Sequence, residues 1–213
     1  KNADFDVIYK PEIATDELVS FISEIDGWII RSGTKITKEL IEDAKNLQII
    51  GRAGVGTDNI DIDYATIKGI IVMNVPDGNT ISAAEHTMAM ILSLSRNIYQ
   101  GHASLIKGEW NRNLLVGNEL RDKVLGVVGL GKIGREVIKR SLSYDMQILG
   151  YDPYVNKDQF NKEEVKIVEL DHLVENSDFI TLHLPINDKT RNLFDYNRIN
   201  KMKKTSRLIN VAR

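Results

Sequence analysis

Short apolar runs alternate with amphipathic stretches along the chain, and this alternation predicts an α/β fold. Several runs, such as residues 124–128, are continuously apolar, which is typical of parallel strands covered by helices on both faces. Helical periodicity is clearest over residues 38–44, 80–92 and 132–144. The predicted strands are residues 6–9, 27–30, 47–51, 70–74, 124–130, 147–151, 165–168, 179–184 and 207–211.

A turn sequence, Val-Pro-Asp-Gly at residues 75–78, follows the fourth predicted strand. We interpret this turn as a crossing between two domains. The expected division is residues 1–75 and residues 76–213.

The composition of the 213 residues is that of an ordinary globular protein, with 28 basic and 30 acidic side chains and a net charge of −2. This near-neutral net charge gives no indication that the protein binds nucleic acid or an anionic membrane. No apolar run approaches the roughly 20 residues of a membrane helix. The chain has no cysteine, which excludes a disulfide framework and thiolate chemistry and fits a cytoplasmic location.

A glycine-rich turn is the strongest chemical signal in the sequence. Residues 129–134 read Gly-Leu-Gly-Lys-Ile-Gly, between a predicted strand and a predicted helix, which is the context of a dinucleotide-binding fingerprint. Asp152 ends the next predicted strand, where a carboxylate can bond the adenosine ribose hydroxyls and repel a 2′-phosphate. The two marks together predict a cofactor site that prefers NAD to NADP.

A second glycine-rich turn, Gly-Arg-Ala-Gly-Val-Gly at residues 51–56, also follows a strand. Its glycines allow backbone N–H groups to converge on an anion such as a carboxylate, although a plain strand-to-helix turn explains the same pattern. Arg31 and Ser32 end the second predicted strand, where ligands of open α/β sheets bind. Arg31 is accordingly either an anion ligand or a solvated surface charge.

These motifs, taken in order, resemble the D-isomer-specific 2-hydroxyacid dehydrogenases. The resemblance also extends over residues 30–37, 51–61, 74–80, 107–110, 151–153, 182–185 and 209–213. It implies a Rossmann-like doubly wound parallel sheet that binds NAD, truncated at its end, and a flavodoxin-like substrate domain that is incomplete here. It also implies a small anionic 2-hydroxy or 2-keto acid substrate and assembly as a homodimer or homotetramer.

The resemblance assigns roles to individual positions. Arg213 corresponds to the catalytic arginine that grips the keto oxygen and the carboxylate. The implied substrate-binding residues are Arg31, Ser32, Val55, Gly56 and Asn79. The implied cofactor-binding residues are Val75, Gly129, Gly131, Lys132, Ile133, Gly134, Asp152, His183, Leu184, Pro185, Val211 and Arg213. The family's general-acid histidine and its glutamate partner are expected beyond Arg213.

The implied reaction is NAD-dependent oxidation of 3-phosphoglycerate to 3-phosphohydroxypyruvate, a reaction of serine biosynthesis. The alternatives are a relative that acts on D-lactate, glycerate or glyoxylate, and a corepressor of the same fold that binds NAD without catalysis. His183 is expected to contact the cofactor rather than to act as the acid. No residue cluster has the spacing of a metal site.

Overall fold

The computed structural model describes residues 5–11, 13 and 15–212. The chain divides into two compact units, Lys1–Asn79 and Thr80–Arg213. The sequence-based boundary after residue 75 falls shortly before this division. In the described ranges no helix is long and apolar enough to cross a membrane.

The first unit is a parallel sheet with strand order β1-β2-β3 and helices between the strands. Its elements are α1 (Thr15–Ile22), β1 (Gly27–Ile30), α2 (Lys38–Asp43), β2 (Ile49–Arg52), α3 (Ile62–Ile67) and β3 (Ile71–Asn74). Ile22, Ile41 and Ile50 are among the most deeply buried side chains of its core. The carboxyl ends of β1 and β2 are adjacent, because Ile30 pairs with Arg52.

The predicted strand at residues 6–9 is wrong. The segment has no secondary structure, and the side chains of Val7 and Tyr9 are 77% and 85% exposed. A strand requires a hydrogen-bonded neighbour and burial of one face, and no described residue pairs with this segment. Apolar alternation by itself therefore does not identify a strand in this segment.

The second unit contains α4 (Thr80–Arg96), α5 (Ile98–Ile106), β4 (Val124–Val128), α6 (Lys132–Leu142), β5 (Gln147–Tyr151), β6 (Val165–Ile167), α7 (Leu170–Asn176), β7 (Phe179–Leu182), α8 (Tyr196–Lys201) and β8 (Arg207–Asn210). Its strands are parallel, in the order β6-β5-β4-β7-β8. This order confirms the predicted Rossmann-like sheet, with the reversal of winding between β4 and β7.

Both faces of the second sheet are covered, which explains the unbroken apolar run in β4. Leu125 and Val127 pack into a cluster with residues of α4 and α6, whereas Val128 packs into a cluster with residues of α7. Gly126 permits the close approach of α7, because a Cβ atom there would lie 2.4 Å from Leu173 Cδ2. The carboxyl end of β4 is thereby fixed between two layers of helices.

Candidate cofactor and anion sites

The three glycines of the fingerprint have three different surroundings. Gly129 has a φ of +95°, and a Cβ atom on it would lie 2.5 Å from the carbonyl oxygen of His183. A Cβ atom on Gly134 would lie 2.1 Å from the carbonyl oxygen of Gly129. A Cβ atom on Gly131 would meet nothing within 4 Å. Two glycines therefore allow tight packing, and the third leaves space for a ligand.

Helix α6 begins directly behind that space, with Gly131 at its N-cap. The first N–H groups of a helix have no partner within it, and the helix dipole favours negative charge at this end. Ile133 packs against the core and so fixes the first turn, whereas Lys132 is exposed. This geometry fits a pyrophosphate.

The carboxylate of Asp152 is held against the fingerprint turn. One oxygen accepts the N–H of Leu130 at 2.9 Å, and the other accepts the N–H of Tyr154 at 2.9 Å. Each carboxylate oxygen can accept a second hydrogen bond. Asp152 is therefore oriented before a ligand binds and retains acceptor capacity for ribose hydroxyls.

Arg135 is a residue that the sequence reasoning missed. Its Nε donates to the carbonyl oxygen of Leu130 at 3.0 Å, so that Asp152 and Arg135 hold both backbone groups of Leu130. Its guanidinium also donates to Gln159 and stacks on Phe160, 4.6 Å from the ring centroid. The sequence feature that could have indicated this role is the position of Arg135 near the start of α6, from which a long side chain can reach back to the glycine-rich turn.

The end of β7 borders the same turn. Thr181 is fully buried, and its hydroxyl lies 3.0 Å from Nε2 of His183. Burial lowers the pKa of His183 to about 4, so its ring is neutral at pH 7. A neutral ring can make hydrogen bonds to a cofactor but holds no proton to donate as a general acid at that pH. Leu184 is half-buried beside Gly129, and Pro185 is exposed.

At the end of β8, Val211 is half-buried and packs against the core. The N–H of Ala212 donates to the side chain of Asn210 at 3.1 Å. Arg213, the predicted catalytic residue, lies outside the described residues, so its role stays a prediction.

In the first unit, the predicted substrate-binding residues lie at the ends of β1 and β2. Arg31 and Ser32 are exposed, and Val55 and Gly56 are half-buried in the turn after β2. Asn74 Nδ2 donates to the carbonyl oxygen of Val55 at 2.7 Å and so braces that turn. Val75 and Asn79 are exposed at the end of this unit, where the N–H of Val75 donates to the carbonyl oxygen of Gly54.

Among the residues that the structure describes, no group of histidine, aspartate and glutamate side chains could hold a metal ion.

Comparisons with known proteins agree with this geometry. Residues 88–213 match the family described as D-isomer specific 2-hydroxyacid dehydrogenase, NAD binding domain. The D-3-phosphoglycerate dehydrogenase of Methanocaldococcus jannaschii is 48% identical over 207 residues, which cover 95% of this chain and 40% of that protein. The enzyme of the same name from Bacillus subtilis is 46% identical over 200 residues, covering 94% of this chain and 37% of that protein. The chain thus spans about two fifths of the length of these curated relatives.

Solved structures of two other proteins are similar to this chain over most of its length. The D-lactate dehydrogenase of Aquifex aeolicus, crystallised with NAD and lactic acid, superimposes with a TM-score of 0.83 and 34% identity. The match covers 92% of this chain and 59% of that one. The TT0316 protein of Thermus thermophilus superimposes with a TM-score of 0.88 and 29% identity, covering 95% of this chain and 64% of that one.

Proposed function

Because this chain belongs to the D-isomer-specific 2-hydroxyacid dehydrogenase family, we propose that the protein containing it oxidises a D-2-hydroxy acid to its 2-keto acid with NAD. The observation on which this proposal rests is the second unit's fingerprint turn, open at Gly131 and flanked by the oriented carboxylate of Asp152. We propose 3-phosphoglycerate as the substrate.

The residues of the second unit fit NAD. The open space at Gly131 and the N-terminal N–H groups of α6 would hold the pyrophosphate, and Asp152 would accept the ribose hydroxyls. The neutral ring of His183, with Leu184 and Pro185, would border the nicotinamide. When bound, NAD supplies the carbon that accepts the hydride.

The first unit would bind the substrate. The N–H groups of Val55 and Gly56 would donate to its carboxylate, and Arg31, Ser32 and Asn79 would line the pocket. Arg213 would stabilise the negative charge that develops on the hydroxyl oxygen as the hydride leaves. The proton of that hydroxyl would pass to a histidine expected beyond Arg213.

The choice of 3-phosphoglycerate is supported by the names of the curated relatives, while the similarity to a D-lactate dehydrogenase favours the alternative of an unphosphorylated acid. Initial rates of NADH oxidation by the full-length protein with 3-phosphohydroxypyruvate, pyruvate and glyoxylate test the choice. We expect the highest kcat/KM with 3-phosphohydroxypyruvate. A higher value with pyruvate or glyoxylate would favour the alternative.

We also propose that the protein forms a homodimer or homotetramer through the second unit. The supporting observation is a set of large apolar side chains on and after α5 that are more than half exposed: Ile98, Tyr99, Leu105, Ile106, Trp110, Leu114 and Val116. Size-exclusion chromatography with light scattering gives the mass directly. A monomer at micromolar concentration would contradict this proposal.

A further inference from the structure

The hydroxyl of Thr181 is buried in apolar surroundings and contacts the ring of His183. Thr181 lies in β7, and none of its surface is exposed. Its strand partners Val127 and Ile209 belong to one apolar cluster, together with Phe179 two positions before it. In the part of the chain that the structure describes, the hydroxyl has a single polar contact, the Nε2 atom of His183 at 3.0 Å. The hydroxyl therefore depends on this ring nitrogen for its hydrogen bond.

The ring of His183 carries one proton at pH 7. No charged group among the described residues compensates for the burial of the ring, and this desolvation lowers the pKa of His183 to about 4. A neutral imidazole has one N–H donor and one nitrogen that accepts. Its two tautomers therefore present opposite hydrogen-bonding groups to a ligand.

The direction of the hydrogen bond to Thr181 decides between the two tautomers. If Nε2 carried the proton and donated it to the hydroxyl oxygen, the hydroxyl proton would be left without an acceptor among apolar side chains, which is unfavourable. If the hydroxyl donates to Nε2, neither group leaves a buried donor without a partner. The second arrangement is favoured, and it places the proton of His183 on Nδ1.

The backbone of His183 is fixed beside the fingerprint turn. Its N–H donates to the carbonyl oxygen of Val128 at 2.8 Å, and its carbonyl oxygen would lie 2.5 Å from a Cβ atom on Gly129. Nε2 is held by Thr181, whereas Nδ1 has no acceptor among the described residues. The half-buried ring thus offers one oriented N–H at the carboxyl edge of the sheet, where a dinucleotide binds.

We propose that Thr181 is a positioning residue that holds His183 in the tautomer protonated at Nδ1, so that this N–H donates to an oxygen acceptor of the bound dinucleotide. The acceptor is an oxygen of a ribose, of the pyrophosphate or of the nicotinamide carboxamide. This inference rests on the proposed function for the identity of the ligand. It adds a residue that is fully buried and acts only through His183.

The first test identifies the tautomer and needs no cofactor. Nitrogen NMR spectra are recorded at pH 7 on the full-length protein with isotope-labelled histidine, and the signals of His183 are assigned by their loss in His183→Gln. We expect a protonated Nδ1 and an unprotonated Nε2 in wild type and in Thr181→Ser, which keeps the hydroxyl. Thr181→Val should populate both tautomers, because the donor to Nε2 is gone. A wild-type ring protonated at Nε2 would overturn the proposal.

The second test measures the contribution of this arrangement to cofactor binding. NADH is titrated into wild type, Thr181→Ser and Thr181→Val. The matched control is Thr87→Val, because Thr87 is also fully buried and its hydroxyl donates to the carbonyl oxygen of Ala83 within α4. We expect the Kd to rise roughly three- to tenfold in Thr181→Val and to change less than about twofold in the other two variants. An unchanged Kd in Thr181→Val would refute the proposed donor.

A double variant separates this role from a structural one. Thr181→Val should cause no further loss of NADH affinity in protein that already carries His183→Phe, because Thr181 acts through the ring nitrogen. A further loss as large as that in the single variant would show that Thr181 only supports the fold.

Calorimetric titration with ADP-ribose, which lacks the nicotinamide ring, locates the acceptor. A loss in Thr181→Val equal to that with NADH assigns the acceptor to a ribose or the pyrophosphate, and a loss confined to NADH assigns it to the carboxamide. Wild-type protein that has the expected tautomer and NADH affinities but reduces no 2-keto acid would refute the proposed function and leave the role of Thr181 standing.

Discussion

Replacing Asp152 tests the cofactor site most specifically, because its carboxylate is already oriented by the N–H groups of Leu130 and Tyr154. We expect Asp152→Ala to weaken NADH binding and to reduce the preference for NADH over NADPH. A hydrogen bond to a charged group contributes about 1.5–3 kcal/mol, so the Kd for NADH should rise roughly tenfold to a hundredfold. Removing the negative charge also removes its repulsion of a 2′-phosphate, and the Kd for NADPH should therefore rise less or fall.

A second variant separates the charge from the support of the turn. Asp152→Asn keeps one oxygen that can accept the N–H of Leu130 or Tyr154, but it removes the negative charge. We expect it to lose most of the discrimination between the two cofactors with a smaller loss of NADH affinity than Asp152→Ala. NADH and NADPH fluorescence titrations measure both effects, with the exposed Glu175→Gln as the control for a lost surface carboxylate. An unchanged ratio of the two Kd values in both variants would show that Asp152 only supports the turn.

Three further predictions concern other parts of the two units. Gly134→Ala should lower the free energy of unfolding by about 1–3 kcal/mol in urea titrations, because its Cβ would meet the carbonyl oxygen of Gly129. Gly131→Ala should leave the free energy of unfolding unchanged and weaken NADH binding, since its Cβ would meet nothing. Equal losses of stability in the two variants would contradict this prediction. Burial lowers the pKa of His183 to about 4, so as the pH falls below the ordinary value of 6.5 the unfolded chain takes up a proton before the folded chain does. The free energy of unfolding should therefore decline between pH 6.5 and pH 4 by up to about 3 kcal/mol. His183→Gln should reduce this decline. Arg31→Ala should lower kcat/KM about thirtyfold with 3-phosphohydroxypyruvate, a loss of about 2 kcal/mol, and should lower it less with glyoxylate, which has no phosphate. Equal losses with the two substrates would show that Arg31 binds the carboxylate that both of them carry.

The sequence predicted the second unit well because several local signals there agree. The apolar run of β4, the fingerprint and the amphipathic α6 favour the same strand, turn and helix, and the structure has α6 at Lys132–Leu142 where residues 132–144 were predicted. At residues 6–9 the apolar alternation was the only feature that favoured a strand, and the prediction was wrong. Agreement between neighbouring elements was therefore more informative than apolar alternation by itself.

The sites were only partly predictable, since spacing along the chain identifies residue types but not their contacts. The position of Asp152 after the fingerprint indicated a ribose ligand, yet the clamp on Leu130 by Asp152 and Arg135 depends on how the turn folds back. Arg52 belongs to a motif that the sequence analysis used, but composition alone treats an arginine as a surface residue. Its burial against Gly54 depends on how the turn after β2 folds, which the sequence does not show.

The most direct test of the whole account is the initial rate of NADH oxidation by the full-length protein with 3-phosphohydroxypyruvate, compared with NADPH as the reductant. We predict turnover with NADH, a kcat/KM at least tenfold lower with NADPH, and no turnover when the keto acid is omitted. Absence of NADH oxidation with 3-phosphohydroxypyruvate, pyruvate and glyoxylate alike, in protein that binds NADH, would contradict the account and favour the corepressor alternative.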